Sequence, residues 1–149
     1  MKFIKLLALT GLMSLGTPAF PQNRIEIEKP WSRATPPGST LAAGYMVLRN
    51  KAAAADRLVS VSSPAAARVE THVTTREGDI MKMRPTKGYD IPAGGSFELK
   101  PGGAHLMFVG IKRPFKEGDR IPARLGFEKA GEVKVEFEVL RSAPEAHGH

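Results

Sequence analysis

Two histidines and two methionines carry the most chemical information in this sequence. They sit in three short segments: Thr71-His72-Val73, Ile80-Met81-Lys82-Met83 and Ala104-His105-Leu106-Met107. Thioether sulfur is a soft, neutral donor that suits Cu(I) and binds Zn, Mg or Ca poorly, whereas imidazole suits copper in either oxidation state. A set of two His and two Met would hold Cu(I) without a thiolate. Each residue also has a plainer reading. Met fills irregular gaps in cores, a lone His more often sits at the surface or in a hydrogen bond, and Met107 runs straight into the apolar Phe108 and Val109. Residue type alone leaves both readings open.

Spacing says which of these side chains share a face. Thr71 to Arg84 reads as a hairpin turning at Glu77-Gly78. A two-residue loop there, or a four-residue loop from Arg76 to Asp79, makes paired positions sum to 155. His72 then faces Met83 directly, close enough for one ion to touch both. A three- or five-residue loop would break that register. Met81 would share the face diagonally, as an auxiliary donor. His105 and Met107 are two apart in a strand and so point the same way. The turn Pro101-Gly102-Gly103 before them puts the pair near a strand end, within reach of solvent. Whether the two His/Met pairs meet does not follow from spacing.

The elements that must position them are strands. Val133–Val139 alternates apolar and charged residues, as does Arg24–Glu28. Further strands are expected at Ala42–Leu48, Arg57–Ser62, Arg68–Thr74, Asp79–Arg84, Ser96–Leu99, Ala104–Ile111 and Ala123–Phe127. Gly 15 and Pro 12 supply frequent turns. Eight or nine short strands at close spacing predict an all-β, Greek-key sandwich or barrel. No stretch has capped helical periodicity, and Ala52–Ala55 is too short for an independent helix. Trp31, Tyr45 and Phe108 are assigned to the core or to the rim of the site, with the core favoured.

The ends read differently from the middle. Met1–Lys5 is a short basic segment and Leu6–Leu15 an apolar run too short to span a bilayer. With Thr17-Pro18-Ala19 behind it, the start reads as a signal peptide over 1–19, cleaved after Ala19. The folded domain is then 20–141 and the small, polar stretch 142–149 a flexible tail. Export by this route predicts a periplasmic protein. No Cys follows the signal, so no lipid attachment and no stable membrane anchor are expected. The formal charge of +7 includes Lys2 and Lys5, which cleavage removes. The remaining basic residues are scattered and lack aromatic interleaving, which argues against nucleic acid and for solubility or docking on an acidic partner.

Cys 0 in 149 residues excludes thiol catalysis, redox CxxC chemistry and a blue-copper centre, which needs Cys beside two His. The fold must stand on its hydrophobic core without disulfides. No Ser/His/Asp arrangement is legible, and no carboxylate–His constellation stands out at useful spacing. An enzyme is therefore not expected. A metal-free scaffold sandwich with accidental His/Met positions remains the competing class.

The spacing His72–x10–Met83–x21–His105–x–Met107 resembles the copper motif of the PCuAC-type periplasmic copper chaperones. The resemblance extends through Pro30–Gly38, Ala43–Asn50, Met81–Pro85, Ile91–Gly95 and Leu99–Met107, and covers roughly Ile25 to Leu140. It implies a cupredoxin-like β-sandwich, expected to be monomeric, with an exposed Cu(I) site formed by His72, Met83, His105 and Met107. It also implies delivery of copper toward cytochrome c oxidase, either to subunit II or through a Sco-type protein. A copper buffer serving tolerance, with no dedicated target, is the alternative. Family members often carry extra Met near the first His, where this chain has Val73-Thr74-Thr75. The tail residues His147 and His149 resemble a short form of the family's His-rich ends and could capture Cu(II).

Overall fold

The computed structural model describes residue 16 and residues 24–144. The expected signal segment 1–19 lies almost wholly outside them, as do tail residues 145–149 with His147 and His149. Ten strands occupy the described chain: β1 (Ile25–Arg33), β2 (Leu41–Asn50), β3 (Asp56–Ser62), β4 (Ala66–Glu77), β5 (Ile80–Pro85), β6 (Tyr89–Ile91), β7 (Ser96–Leu99), β8 (His105–Ile111), β9 (Arg120–Phe127) and β10 (Gly131–Leu140). There is no helix among the described residues. The count exceeds the expected eight or nine because β6 is three residues long, too short to show an alternation. Ala52–Ala54 forms a bend rather than a helix.

Hydrogen bonding links the strands in the order β5-β4-β8-β2-β1-β10-β9-β3-β6, with β7 also paired to β2. All pairs are antiparallel except β1 with β10. This path does not lie flat. The Tyr89 hydroxyl on β6, at one end of the order, bonds backbone groups of His72 on β4 and His105 on β8, near the other end. The sheet therefore folds face to face into the cupredoxin-like sandwich. Non-consecutive neighbours along the path, β4-β8-β2 and β1-β10 among them, give the crossovers of a Greek key.

One core fills the space between the faces. Leu48, Leu58, Leu106, Phe108, Leu125, Phe137 and Val139 are buried within it. Phe108 and Phe137 meet edge to face at 5.7 Å and 84°, a preferred aromatic geometry. Period-two alternation accounts for this core: Leu106 and Phe108 point inward from β8, so His105 and Met107 must occupy its other face.

Gly88 shows how tightly β6 is set. Its φ is +112°, and a Cβ there would lie 2.0 Å from the Leu58 carbonyl oxygen. Only glycine fits, and its conformation delivers the next residue, Tyr89, into β6.

Candidate metal centre

The hairpin β4–β5 departs from the expected register. Glu77 pairs with Ile80, so the turn is Gly78-Asp79, one residue later than Glu77-Gly78. Gly78 takes φ +63°, and a glycine at the first central position is the requirement of a type II′ hairpin. His72 consequently faces Pro85, and Met83 faces Thr74. The expectation of a direct His72–Met83 pair is thus corrected. A slip of two residues preserves the side-chain face, since strand periodicity is two. Met83 remains on the His72 face as a diagonal neighbour, with Met81 one pair further toward the tip.

What spacing left open is the relation between the two pairs, and strand pairing decides it. β4 lies beside β8 with His72 directly opposite His105, and their ring centroids are 5.5 Å apart. Met107 lies opposite Glu70 on β4 and opposite Ala43 on β2. His72, His105, Met107, Glu70 and Met83 therefore share one face of three adjacent strands, away from the main core.

Burial across this face is uneven. His105 is 4% exposed and Met107 9%, whereas the His72 side chain is 14% exposed. Met83 and Met81 are 61% and 55% exposed. The expected openness holds for the β5 side and not for the β8 side. β5 is the edge strand and every residue in it is exposed.

The hydrogen bonds of the two rings fix which nitrogens are free. His72 Nε2 lies 2.8 Å from Glu70 Oε2. His105 Nδ1 lies 3.2 Å from the Gly103 carbonyl. A carbonyl only accepts, so His105 carries its proton on Nδ1; a carboxylate only accepts, so His72 carries its proton on Nε2. The remaining atoms, His72 Nδ1 and His105 Nε2, are buried without any hydrogen-bond partner. Buried polar atoms are ordinarily satisfied. Two bare imidazole lone pairs on facing rings, with thioethers on the same face, fit a soft metal ion. No group of three or more His, Cys, Asp or Glu that could hold a metal occurs among the described residues. The soft side-chain donors on this face are the thioethers of Met107, Met83 and Met81.

Burial favours the neutral, donating state of His105. Burial lowers the His105 pKa below its ordinary value, and neighbouring His72 lowers it further against the raising effect of the Gly103 bond. Glu70 is held below the usual carboxylate range, chiefly by a hydrogen bond from Arg68 and then by the one from His72. Arg68 Nε reaches Glu70 Oε1 at 2.8 Å.

Two residues escaped the sequence analysis. Glu70 supplies a carboxylate–His contact where none was expected; the signal was Glu-x-His along one strand, which places both side chains on one face. Tyr89 has no such local signal. Its hydroxyl accepts from the His72 N–H at 2.9 Å and lies 2.6 Å from the His72 carbonyl and 2.7 Å from that of His105. It pins the backbones of both histidines, and burial pushes its pKa up to about 12. Trp31 and Tyr45, with ring centroids 4.6 Å apart, are buried but lie outside the main core cluster. Register puts them on the Met107 face, where both are buried in keeping with the favoured core assignment. Phe108 is core, as expected.

This fold and face define a PCuAC-type domain. Among solved structures, the copper-bound PCuAC domain from PmoF2 is 33% identical, with a TM-score of 0.68, covering 78% of this chain and 92% of that one. Apo-DR1885 from Deinococcus radiodurans is 27% identical with a TM-score of 0.63 and 95% of both chains covered. The Cu(I) form of DR1885 is 31% identical with a TM-score of 0.59, covering 85% of this chain and 83% of that one. The family model "Putative lipoprotein LpqE-like" matches residues 25–139. A protein of Leifsonia xyli subsp. xyli, "Putative lipoprotein Lxx21020", is 33% identical over 140 residues, 90% of this chain and 83% of its own. The chain belongs to the LpqE-like family.

Proposed function

We propose that this protein is an exported copper chaperone that carries one Cu(I) through His72, His105, Met107 and Met83. The observation that carries the reading is the pair of buried, unpartnered nitrogens on facing rings. They sit on a face that also bears one buried thioether, Met107, and two exposed ones, Met83 and Met81. The likeness to copper-bound PCuAC domains supports copper as the ion. Lipoprotein relatives and the N-terminal pattern support an envelope location, which we take to be the periplasm.

The protein acts as a carrier and not as an enzyme. Soft, neutral donors hold Cu(I), while the exposed edge strand lets an incoming donor replace Met83 without unfolding the site. The recipient is cytochrome c oxidase subunit II or a Sco-type protein. His147 and His149 supply a second, looser Cu(II) site.

Titration of the mature protein with Cu(I) against a competing chelator tests the site. One tight ion per chain is expected, weakened by both Met107→Leu and Met83→Leu; unchanged affinity in both variants would sink the assignment. Deletion in the source organism tests delivery. Loss of oxidase copper in copper-poor medium is expected, and normal oxidase copper would instead indicate a buffer.

A further inference from the structure

We infer that Glu70, itself held by Arg68, is a positioning residue that fixes the tautomer of His72 and so assigns Nδ1 as its metal-facing atom. The inference rests on the copper reading above and names which atoms of that site do the binding.

Three alternate residues of β4, Arg68, Glu70 and His72, point to one face. They form a chain of contacts. Arg68 Nε donates to Glu70 Oε1 at 2.8 Å, and His72 Nε2 donates to Glu70 Oε2 at 2.8 Å. The guanidinium occupies one carboxylate oxygen and leaves the other to His72. Among the described residues, Glu70 makes the one hydrogen bond to the His72 ring. Its Nδ1 has no partner, and the backbone contacts to Tyr89 do not involve the ring.

The same problem is solved differently for His105. There the Gly103 carbonyl takes Nδ1–H, leaving Nε2 bare. The facing rings thus carry opposite tautomers. A carboxylate on the outer nitrogen also makes an imidazole a stronger donor, and loss of such an outer partner typically costs about 10–100-fold in metal affinity.

The test reads the apo protein first. Long-range proton–nitrogen correlation on the 15N-labelled mature chain should find His72 protonated on Nε2 and His105 on Nδ1. In Glu70→Ala, His72 should lose its single tautomer while His105 keeps its own, and Cu(I) affinity should fall about 10–100-fold. Glu70→Gln, whose carbonyl also accepts, should restore the tautomer and most of the affinity. A wild-type His72 protonated on Nδ1, or Glu70→Ala within about twofold of wild type, would overturn the inference. So would a Glu70→Gln that keeps the tautomer yet binds as weakly as Glu70→Ala, since the charge of the carboxylate and not the tautomer would then set the affinity. His105→Ala separates this failure from that of the copper reading. If it abolishes binding while Glu70→Ala does not, only the role of Glu70 falls; if neither matters, the copper site itself is wrong.

Discussion

The two sides of the candidate site are built on different principles. On the β8 side, His105 and Met107 are buried, and their strand is covered on both faces. On the β5 side, Met83 and Met81 stand on an edge strand exposed along its whole length. Buried donors lose little entropy on meeting an ion, because packing has already ordered them. Exposed methionines retain their rotamers and pay that cost on binding. The buried half is suited to hold a cargo and the exposed half to let it go. A carrier needs both properties, and the sheet provides them by placing the site across its own edge.

That division can be broken from its strongest member downward. His105→Ala should abolish tight Cu(I) binding, an effect larger than the 10–100-fold of an outer partner, measured by chelator competition. Met107→Leu and Met83→Leu should both weaken binding but in different ways. The buried Met107 should chiefly set affinity, and the exposed Met83 should chiefly set the rate of transfer to a thiol acceptor in stopped flow. Identical rate and affinity losses for the two would show that burial does not divide the labour. Leu and Met are similar in volume, so Met107→Leu should cost less than about 1.5 kcal/mol of stability by urea denaturation.

Tyr89→Phe should act through the fold. Removing a buried hydroxyl leaves the His72 N–H unpaired, a loss of about 1–3 kcal/mol in denaturation. The variant should also change the alkaline limb of stability. Tyr89 has its pKa raised from 10.0 to about 12, so between those values the folded chain keeps a proton that the unfolded chain releases. Stability is then full below pH 10 and falls as pH rises through about 12. The variant should flatten that fall. An unchanged alkaline slope would mean another group is responsible. The smallest effect is expected from Met81→Leu. It lies one pair beyond Met83 toward the hairpin tip, so affinity should be unchanged and only the transfer rate should fall. A drop in affinity matching that of Met83→Leu would make Met81 a full ligand.

Much of this was legible in the chain because short-range rules govern it. Strand identity follows from period-two alternation, as in Val133–Val139. The sharing of a face by His105 and Met107 follows from their separation of two. The hairpin was legible in face but not in register. Glycine at the turn can sit at either central position, and which it takes shifts pairing by two residues. β6 was missed because three residues cannot display a period, and Tyr89 with it.

Residue order alone determined the donor types, the absence of thiolate, the all-β class and the membership of each His/Met pair on a common face. These depend on composition and on separations of a few residues, where backbone geometry leaves little freedom. The tertiary structure decided that His72 faces His105 and that Tyr89 ties both strands from across the sandwich. It also decided which methionine is buried. All three depend on how segments distant in the chain pack together, and His72 and His105 stand 33 positions apart. Over that distance only the packing of the whole core chooses the partner.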